Sequence, residues 1–286
     1  MSRALSSLTD QQLSAVVAGA RPLGQGIGGR SAELDVGGTR VFVKRVPLTD
    51  LERAHPGSTA NLFDLPLCYQ YGIGSAGFGA WRELAAHRQT TEWVLTGAYA
   101  GFPVMYHWRV LPDSPPDGFV DEFGGIDGAV AYWDGSPAVR ARLTAISRAA
   151  ASVVIFLEHV PHTLADWQGD RDWVDGALAR GTAFMSSRRF VHFDAHFGNI
   201  LTNGEMVYFA DFGLALSAAF DLSAEEVSFL TNHLAYDRAC TVSQLRSAGP
   251  HAALAAAMDA FHRRLRTESK QTPFPAAEIE RLIAGG

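Results

Sequence analysis

Cysteine is nearly missing from this chain of 286 residues: Cys68 and Cys240 are the only two. Two thiols so far apart offer neither a disulfide framework nor the close spacing of a zinc site. They point to a reducing, cytoplasmic compartment. No uncharged apolar run is long enough to span a bilayer. The N-terminus carries Asp10 and has no continuous apolar core of the kind that marks a secretory signal. No membrane partner is expected. Basic charge is also short, with 24 Lys and Arg against 30 Asp and Glu and a formal net charge of −6. General nucleic-acid binders neutralise phosphates with basic surface, so no nucleic-acid partner is expected either. Internal repeats and low-complexity tracts are absent. What is present is a globular composition, 47% hydrophobic and 19% charged. That is enough for one large domain or for two lobes sharing a cleft. Oligomeric state leaves no trace in the sequence.

Periodicity and punctuation divide the chain. Residues 8–18 read as a short helix capped by Thr9 or Asp10. A glycine-rich stretch, Leu23 to Ser31, precedes two strands over 32–36 and 40–46 joined at Gly37-Gly38, a hairpin signal. Residues 47–80 carry few regular signals and read as a long ordered loop or insertion. A helix follows over about 80–96, stopped by Gly97. Residues 102–111 resemble a strand, 112–136 another loop, 137–150 a helix, and Val153–Leu157 a buried strand. Beyond lie a helix over 171–187, short strands at Phe190–Phe193 and Met206–Ala210, and three or four helices over 223–284. Strands early and helices late predict an α+β protein of two lobes.

The densest chemical signal is His192-Phe193-Asp194-Ala195-His196-Phe197-Gly198-Asn199, followed twelve residues after Asn199 by Asp211-Phe212-Gly213. The pieces have the spacings H-x-D-x-x-x-x-N and D-F-G. A strand-turn-strand through Thr202-Asn203-Gly204 would return Asp211 to the side of Asp194 and Asn199. One carboxylate can then take the proton of an attacking hydroxyl, while an amide oxygen and a second carboxylate hold Mg²⁺ against phosphates. Upstream, Gly24, Gly26 and Gly29 have the G-x-G-x-x-G spacing, where backbone N–H groups can approach phosphate. No helix follows directly, which disfavours a Rossmann site. Lys44 lies in the apolar strand VFVKRV and needs an anionic partner if it faces inward. Glu83, early in the next helix, is the candidate, with Glu92 as the alternative. His87, His107, His159 and His162 show no metal-ligand pairing and read as core or surface residues.

Together these residues resemble the kinase-like superfamily, and within it the aminoglycoside phosphotransferase and choline kinase branch, from about Leu23 to about Leu216. The resemblance implies a bilobal protein-kinase-like fold, with a β-rich nucleotide-binding lobe over 1–157 and a helical lobe over 158–286. It implies an ATP-dependent phosphotransferase with ATP and Mg²⁺ as cofactors. Asp194 would be the catalytic base, and Asn199 and Asp211 the metal ligands. Lys44, paired with Glu83, would contact the ATP phosphates beneath the glycine loop. The Glu158 carbonyl and Val160 N–H would hold the adenine edge.

His196, two residues after Asp194, and the lack of an A-P-E sequence after Gly213 favour a small-molecule kinase. The D-F-G and the glycine loop are nearer the protein-kinase pattern, so a protein Ser/Thr kinase is the alternative. A non-catalytic pseudokinase module is the other. The segment at 47–78 is expected to fold aside. Residues 111–137 contain Asp113, Asp117, Asp121, Glu122, Asp127 and Asp134 with no Lys or Arg. Some of these acids, with others after Asp211 such as Asp221, Glu225 and Glu226, are expected to line a site for a cationic, hydroxylated acceptor, such as an aminoglycoside or basic peptide antibiotic.

Overall fold

A computed structural model describes residues 1–245 and 251–285. Two short helices open the chain, α1 (Ser2–Ser6) and α2 (Asp10–Ala18). Thr9 caps α2 through a reciprocal box with Gln12, which satisfies two N–H groups at the helix start. Three strands follow: β1 (Arg21–Gly26), β2 (Gly29–Val36) and β3 (Thr39–Pro47). Gly37 and Gly38 form the β2–β3 turn with φ of 63° and 83°. Both central residues of a tight hairpin of matching twist need φ above zero, which glycine adopts without strain. After α3 (Asp50–Ala54) come α4 (Ala80–Leu95), β4 (Met105–Pro112), α5 (Ile126–Tyr132), α6 (Pro137–Ile146) and β5 (Ala151–Glu158).

The five strands form one antiparallel sheet in the order β1-β2-β3-β5-β4. Strand period sorts its two faces. Val41 and Val43 of β3, with Val154 and Phe156 of β5, pack against Leu5, Leu13 and Val17 of α1 and α2. Val46 of β3, with Val153, Ile155 and Leu157 of β5, packs against Ala80, Trp81 and Leu84 of α4. Lys44 has the parity of Val46 and therefore faces α4.

The rest of the chain is mainly helical: α7 (Arg171–Ser187), α8 (Ala224–Asn232), α9 (Tyr236–Leu245), α10 (Ala252–Thr267) and α11 (Ala276–Ala284). Among these run short strands β6 (His162–Thr163), β7 (Phe190–Val191), β8 (Ile200–Thr202), β9 (Val207–Phe209) and β10 (Leu216–Ser217). They pair as β6-β8-β9 and as β7-β10. The architecture is mixed α+β, and no helix among the described residues is long and apolar enough to cross a membrane.

Several expectations are corrected. The glycine stretch is itself a strand pair, since β1 runs through Gly24 and Gly26 and β2 begins at Gly29. The expected hairpin that returns Asp211 does form, from β8 and β9, with Ile200 opposite Phe209. The strand at Phe190 shrinks to two residues and pairs with β10 instead. The stretch 112–136 contains α5, although its glycines and aspartates weaken the helical pattern. The segment 47–78 leaves Lys44 free to reach Glu83, as expected, but it is no bare loop and contains α3 and a short 3-10 turn at Leu67–Gln70. It packs against α5 and α6, with Tyr69 edge-on to Trp133 at 4.7 Å and Trp133 Nε1 donating to the Gly74 carbonyl at 3.2 Å.

Candidate functional site

Sheet parity and the first turn of α4 bring Lys44 and Glu83 together, with Nζ 2.6 Å from Glu83 Oε1. The same Nζ donates to Asp211 Oδ1, also at 2.6 Å. Lys44 and Glu83 are buried, at 7% and 2% exposed. Glu92, on the same helix, is exposed. Burial opposes the Lys44 ammonium, but the Asp211 and Glu83 carboxylates outweigh it and hold its pKa above the ordinary lysine value. Burial pushes the Glu83 carboxyl up to about 7 against the pull of Lys44. Burial also works against Asp211, yet Lys44 draws its pKa down to about 2. Asp211 faces a water-accessible cleft within the protein, with 43% of its side chain reachable. Its Oδ1 also accepts the Gly213 N–H at 3.3 Å, and its Oδ2 has no partner within the described residues.

Asp194 and Asn199 share a tight loop between β7 and β8. The His196 N–H donates to the Asp194 carbonyl, and the Asn199 N–H to the His196 carbonyl, both at 2.8 Å. Asn199 Nδ2 donates to Asp194 Oδ2 at 2.9 Å, and the Asn199 amide oxygen has no partner among the described residues. His192 is buried behind the loop. Its Nε2 donates to the Ala210 carbonyl at 2.8 Å, and its Nδ1 accepts the Asp194 N–H at 3.3 Å. Both ring nitrogens of a neutral imidazole are thereby used, and burial lowers its pKa to about 4. His192 thus ties the Asp194 loop to the strand end carrying Asp211. Burial raises Asp194 to about 6, with His196 opposing and Asp211 reinforcing the shift. Phe193 and Asp211 both have φ of 63°, a region rarely occupied outside glycine.

Two adjoining cavities meet at Asn199 and Asp211. One, of about 190 Å³, is mainly apolar, with Phe42, Pro103, Leu157, Leu201 and Ala210 around Lys44, Glu158 and Val160. The Val160 N–H has no partner among the described residues, whereas the Glu158 N–H is taken by the Val104 carbonyl at 2.8 Å. The other, of about 180 Å³, holds Asp194, Asn199, Asp211, Glu83, His196 and Arg142 beneath Ile27 and Gly28 at the β1–β2 turn. A third, larger cavity of about 580 Å³ opens on the far side of Asp194, walled by Tyr71, Gln244, Asp259, His262 and Arg266.

Of the sequence-predicted residues, Lys44, Glu83, Asp194, Asn199, Asp211, Glu158 and Val160 all line or adjoin the first two cavities. The glycines divide. Gly26 has open space where a Cβ would stand, and Gly24 has only the Ser31 hydroxyl oxygen, at 3.8 Å. Gly29 is required by packing, because a Cβ at its φ of 132° would strike the Arg45 carbonyl. The acidic-loop expectation fails. None of the six acids of 111–137 lines either cavity that reaches Asp194. Asp113 is buried under Arg30, Arg45 and the Ser152 hydroxyl. Asp127 pairs with Arg140 at 2.6 Å. Glu226 is buried against Arg82 at 2.5 Å, and Asp221 and Glu225 border a separate hollow. Of the four histidines, His87 is buried, and its pKa falls to about 3 through burial and then Lys44. His159 pairs with Glu33 at 3.0 Å, while His107 is half-buried and His162 exposed.

Three features escaped sequence reasoning. Asp237 of α9 is buried and accepts the N–H groups of His192 and Phe193 at 2.7 and 3.0 Å, holding the Asp194 loop from below. No sequence signal marks it, because an acid in the first turn of a helix is an ordinary placement. The run Gly72-Ile73-Gly74-Ser75-Ala76-Gly77-Phe78-Gly79 walls the cleft. A Cβ at Gly72 would stand 2.9 Å from Asp194 Oδ1, and one at Gly77 would stand 2.5 Å from the Gly213 carbonyl oxygen. Arg142, from α6, is the third.

The arrangement can hold a nucleotide and a hard cation. The apolar slot, with the free Val160 N–H at its edge, suits a purine. No group of three or more His, Cys, Asp and Glu suited to a metal exists among the described residues. Asp211 Oδ2 and the Asn199 amide oxygen offer two oxygen ligands, the number with which Mg²⁺ is commonly bound when phosphate oxygens complete its shell. No protein-family model matches the chain, and no curated protein matches it significantly.

Proposed function

We propose that this protein is an ATP-dependent phosphotransferase with a bilobal kinase-like fold, acting on a hydroxyl of a small molecule. The observation that carries this reading is the convergence of Lys44, Asp194, Asn199 and Asp211, from β3, the β7–β8 loop and the end of β9, on one cleft beside an apolar slot. In this reading residues 1–157 form the nucleotide-binding lobe and the remainder the helical lobe. Val160 and Glu158 position the adenine, and Lys44 holds the α- and β-phosphates. Mg²⁺, bound by Asp211 and Asn199, would neutralise charge on the phosphates. Asp194 orients the acceptor hydroxyl and accepts its proton. Its carboxylate is held in place by Asn199, and its loop by Asp237 and His192. Positioning and electrostatics supply most of the rate in such a reaction.

The acceptor would enter through the cavity walled by α9 and α10. Of the charge expected for a cationic acceptor, that wall supplies Asp259, opposed by Arg266. The test is incubation with Mg·ATP and a panel of hydroxylated amines, neutral alcohols and a generic protein substrate. Mass spectrometry would then look for an added phosphate. A phosphorylated small molecule supports the reading. Phosphate on protein alone would make it a protein kinase, and nucleotide binding without transfer to any acceptor a binding module.

A further inference from the structure

Arg142 stands out among the buried charges. It lies on α6, in the segment inserted between β4 and β5, and is 2% exposed. Its Nη1 donates to Glu52 Oε2 at 2.8 Å. Its Nε is buried with no partner, and its Nη2 makes no hydrogen bond within the described residues. Glu52 has little left to give. Its Oε2 also accepts the Thr49 N–H and hydroxyl at 2.9 and 2.6 Å, and its Oε1 accepts the Ala80 N–H at 2.7 Å. The Phe63 ring covers the guanidinium at 5.2 Å. One carboxylate therefore balances the charge of Arg142 while most of its five donors stay unspent. A purely structural tie between α6 and α3 would need only Nη1. Burying a guanidinium with unused donors is unfavourable unless something else meets them.

The side chain lines the polar cavity that contains Asp194, Asn199 and Asp211, and among the described residues it is the one Lys or Arg that does so. Lys44 borders the neighbouring apolar slot. The two cations thus border adjoining cavities that share Asn199 and Asp211, Lys44 in the apolar slot and Arg142 in the polar one beneath the β1–β2 turn. Resting on the phosphotransferase reading above, we propose that Arg142 is a catalytic cation that contacts the phosphoryl oxygens during transfer. In that step the bond between the γ-phosphorus and the β,γ-bridging oxygen breaks, and its electron pair leaves with ADP. The acceptor oxygen forms the new bond to phosphorus, and its proton passes to Asp194. Negative charge is spread over the transferring oxygens, where a fixed guanidinium is worth most.

The experiment compares the wild type with Arg142→Lys and with the double variant Glu52→Gln/Arg142→Met, which removes both buried charges together. Calorimetry measures Mg·ADP affinity with and without aluminium fluoride, a stand-in for the phosphoryl group in flight. Wild type should bind Mg·ADP and bind it at least about 10-fold tighter with the fluoride. Both variants should bind Mg·ADP normally, lose that tightening, and turn over about 10³-fold more slowly, the low end for a catalytic arginine. Guanidinium ion should restore part of the turnover of the double variant. If the variants keep the tightening, or if the fluoride does nothing for the wild type, Arg142 has no such role while the nucleotide site stands. If the wild type binds no Mg·ADP at all, the phosphotransferase reading falls and the role of Arg142 falls with it.

Discussion

Lys44 Nζ lies 2.6 Å from Asp211 Oδ1, joining the third strand of the sheet to the loop after β9. The shifts of the two groups are complementary, Lys44 upward and Asp211 downward to about 2, so both are charged at neutral pH. In the proposed reaction this pair must rearrange, with Lys44 turning to phosphate and Asp211 to the cation.

Lys44→Met should lower turnover by about 10²–10³-fold, the scale for removing a preorganised charge donor. It also leaves Glu83 buried without its cation, a loss of about 3–5 kcal/mol for a broken buried pair. Adding Glu83→Gln should recover much of the stability, read by urea denaturation, without recovering ADP release. Recovery of both would make Lys44 a structural residue only.

Asp211→Ala should abolish the Mg²⁺-dependence of nucleotide binding while leaving the apolar slot intact. Titration with ATP in EDTA and in excess Mg²⁺ measures this. A variant that still binds ATP more tightly with Mg²⁺ would place the metal elsewhere.

Asp194 acts as a base only when ionised, and its pKa is raised to about 6, by burial first. Activity should therefore fall as pH drops through about 6, rather than near 4 as for an ordinary aspartate. His196 favours the carboxylate, so His196→Ala should move the midpoint upward. Asp194→Asn should cost about 10²–10⁴-fold in kcat with the Mg·ATP thermal shift preserved. A kcat–pH profile flat to pH 4.5 would contradict the assignment.

Gly72 has φ of 70°, and a Cβ there would stand 2.9 Å from Asp194 Oδ1. Gly57 has φ of 76° with open space around it. Ala at either position should cost about 1–3 kcal/mol of backbone strain. Only Gly72→Ala should also reduce kcat, because it displaces the carboxylate. Equal kcat in the two variants would separate Gly72 from the chemistry.

Asp237→Ala removes the acceptors of the His192 and Phe193 N–H groups, at about 1–3 kcal/mol for each donor left buried and unpaired. Stability and turnover should fall together, since the same loop carries Asp194. A variant as stable as the wild type in thermal melts would show that water replaces the carboxylate without penalty.

Local chemistry was legible in the sequence where local interactions decide the outcome. The helix over 171–187 was read to its ends, because Asp170 caps it and its apolar positions repeat along one face. The Gly37-Gly38 turn was read from backbone freedom alone. The spacing from His192 to Asn199 and the Asp211-Phe212-Gly213 piece identified the residues that the fold brings to one cleft. The strands at Phe190 and Val207 were legible though shorter than expected, whereas β6 and β10 were not, because two residues form a strand only through pairing with a distant segment. Neither was the fate of the acids. A carboxylate in sequence is a free charge, and Asp113 becomes a buried linchpin only when the sheet brings Arg30 and Arg45 to it.

By itself, then, the sequence determined the mixed α+β class, the main helices and the sheet hairpin, and which polar side chains meet in one cleft. These depend on period, caps and spacing, which act over a few residues. The tertiary structure alone decided what stands around those side chains. It turned the segment after β3 from an expected bystander into the glycine wall beside Asp194. It buried Asp237 under the same loop, and it carried Arg142 from a helix far along the chain to the side of Glu52, with donors still unspent. Such contacts arise between distant segments. Their energies come from burial and from partners that meet only after the chain has packed, so no pattern along the chain announces them.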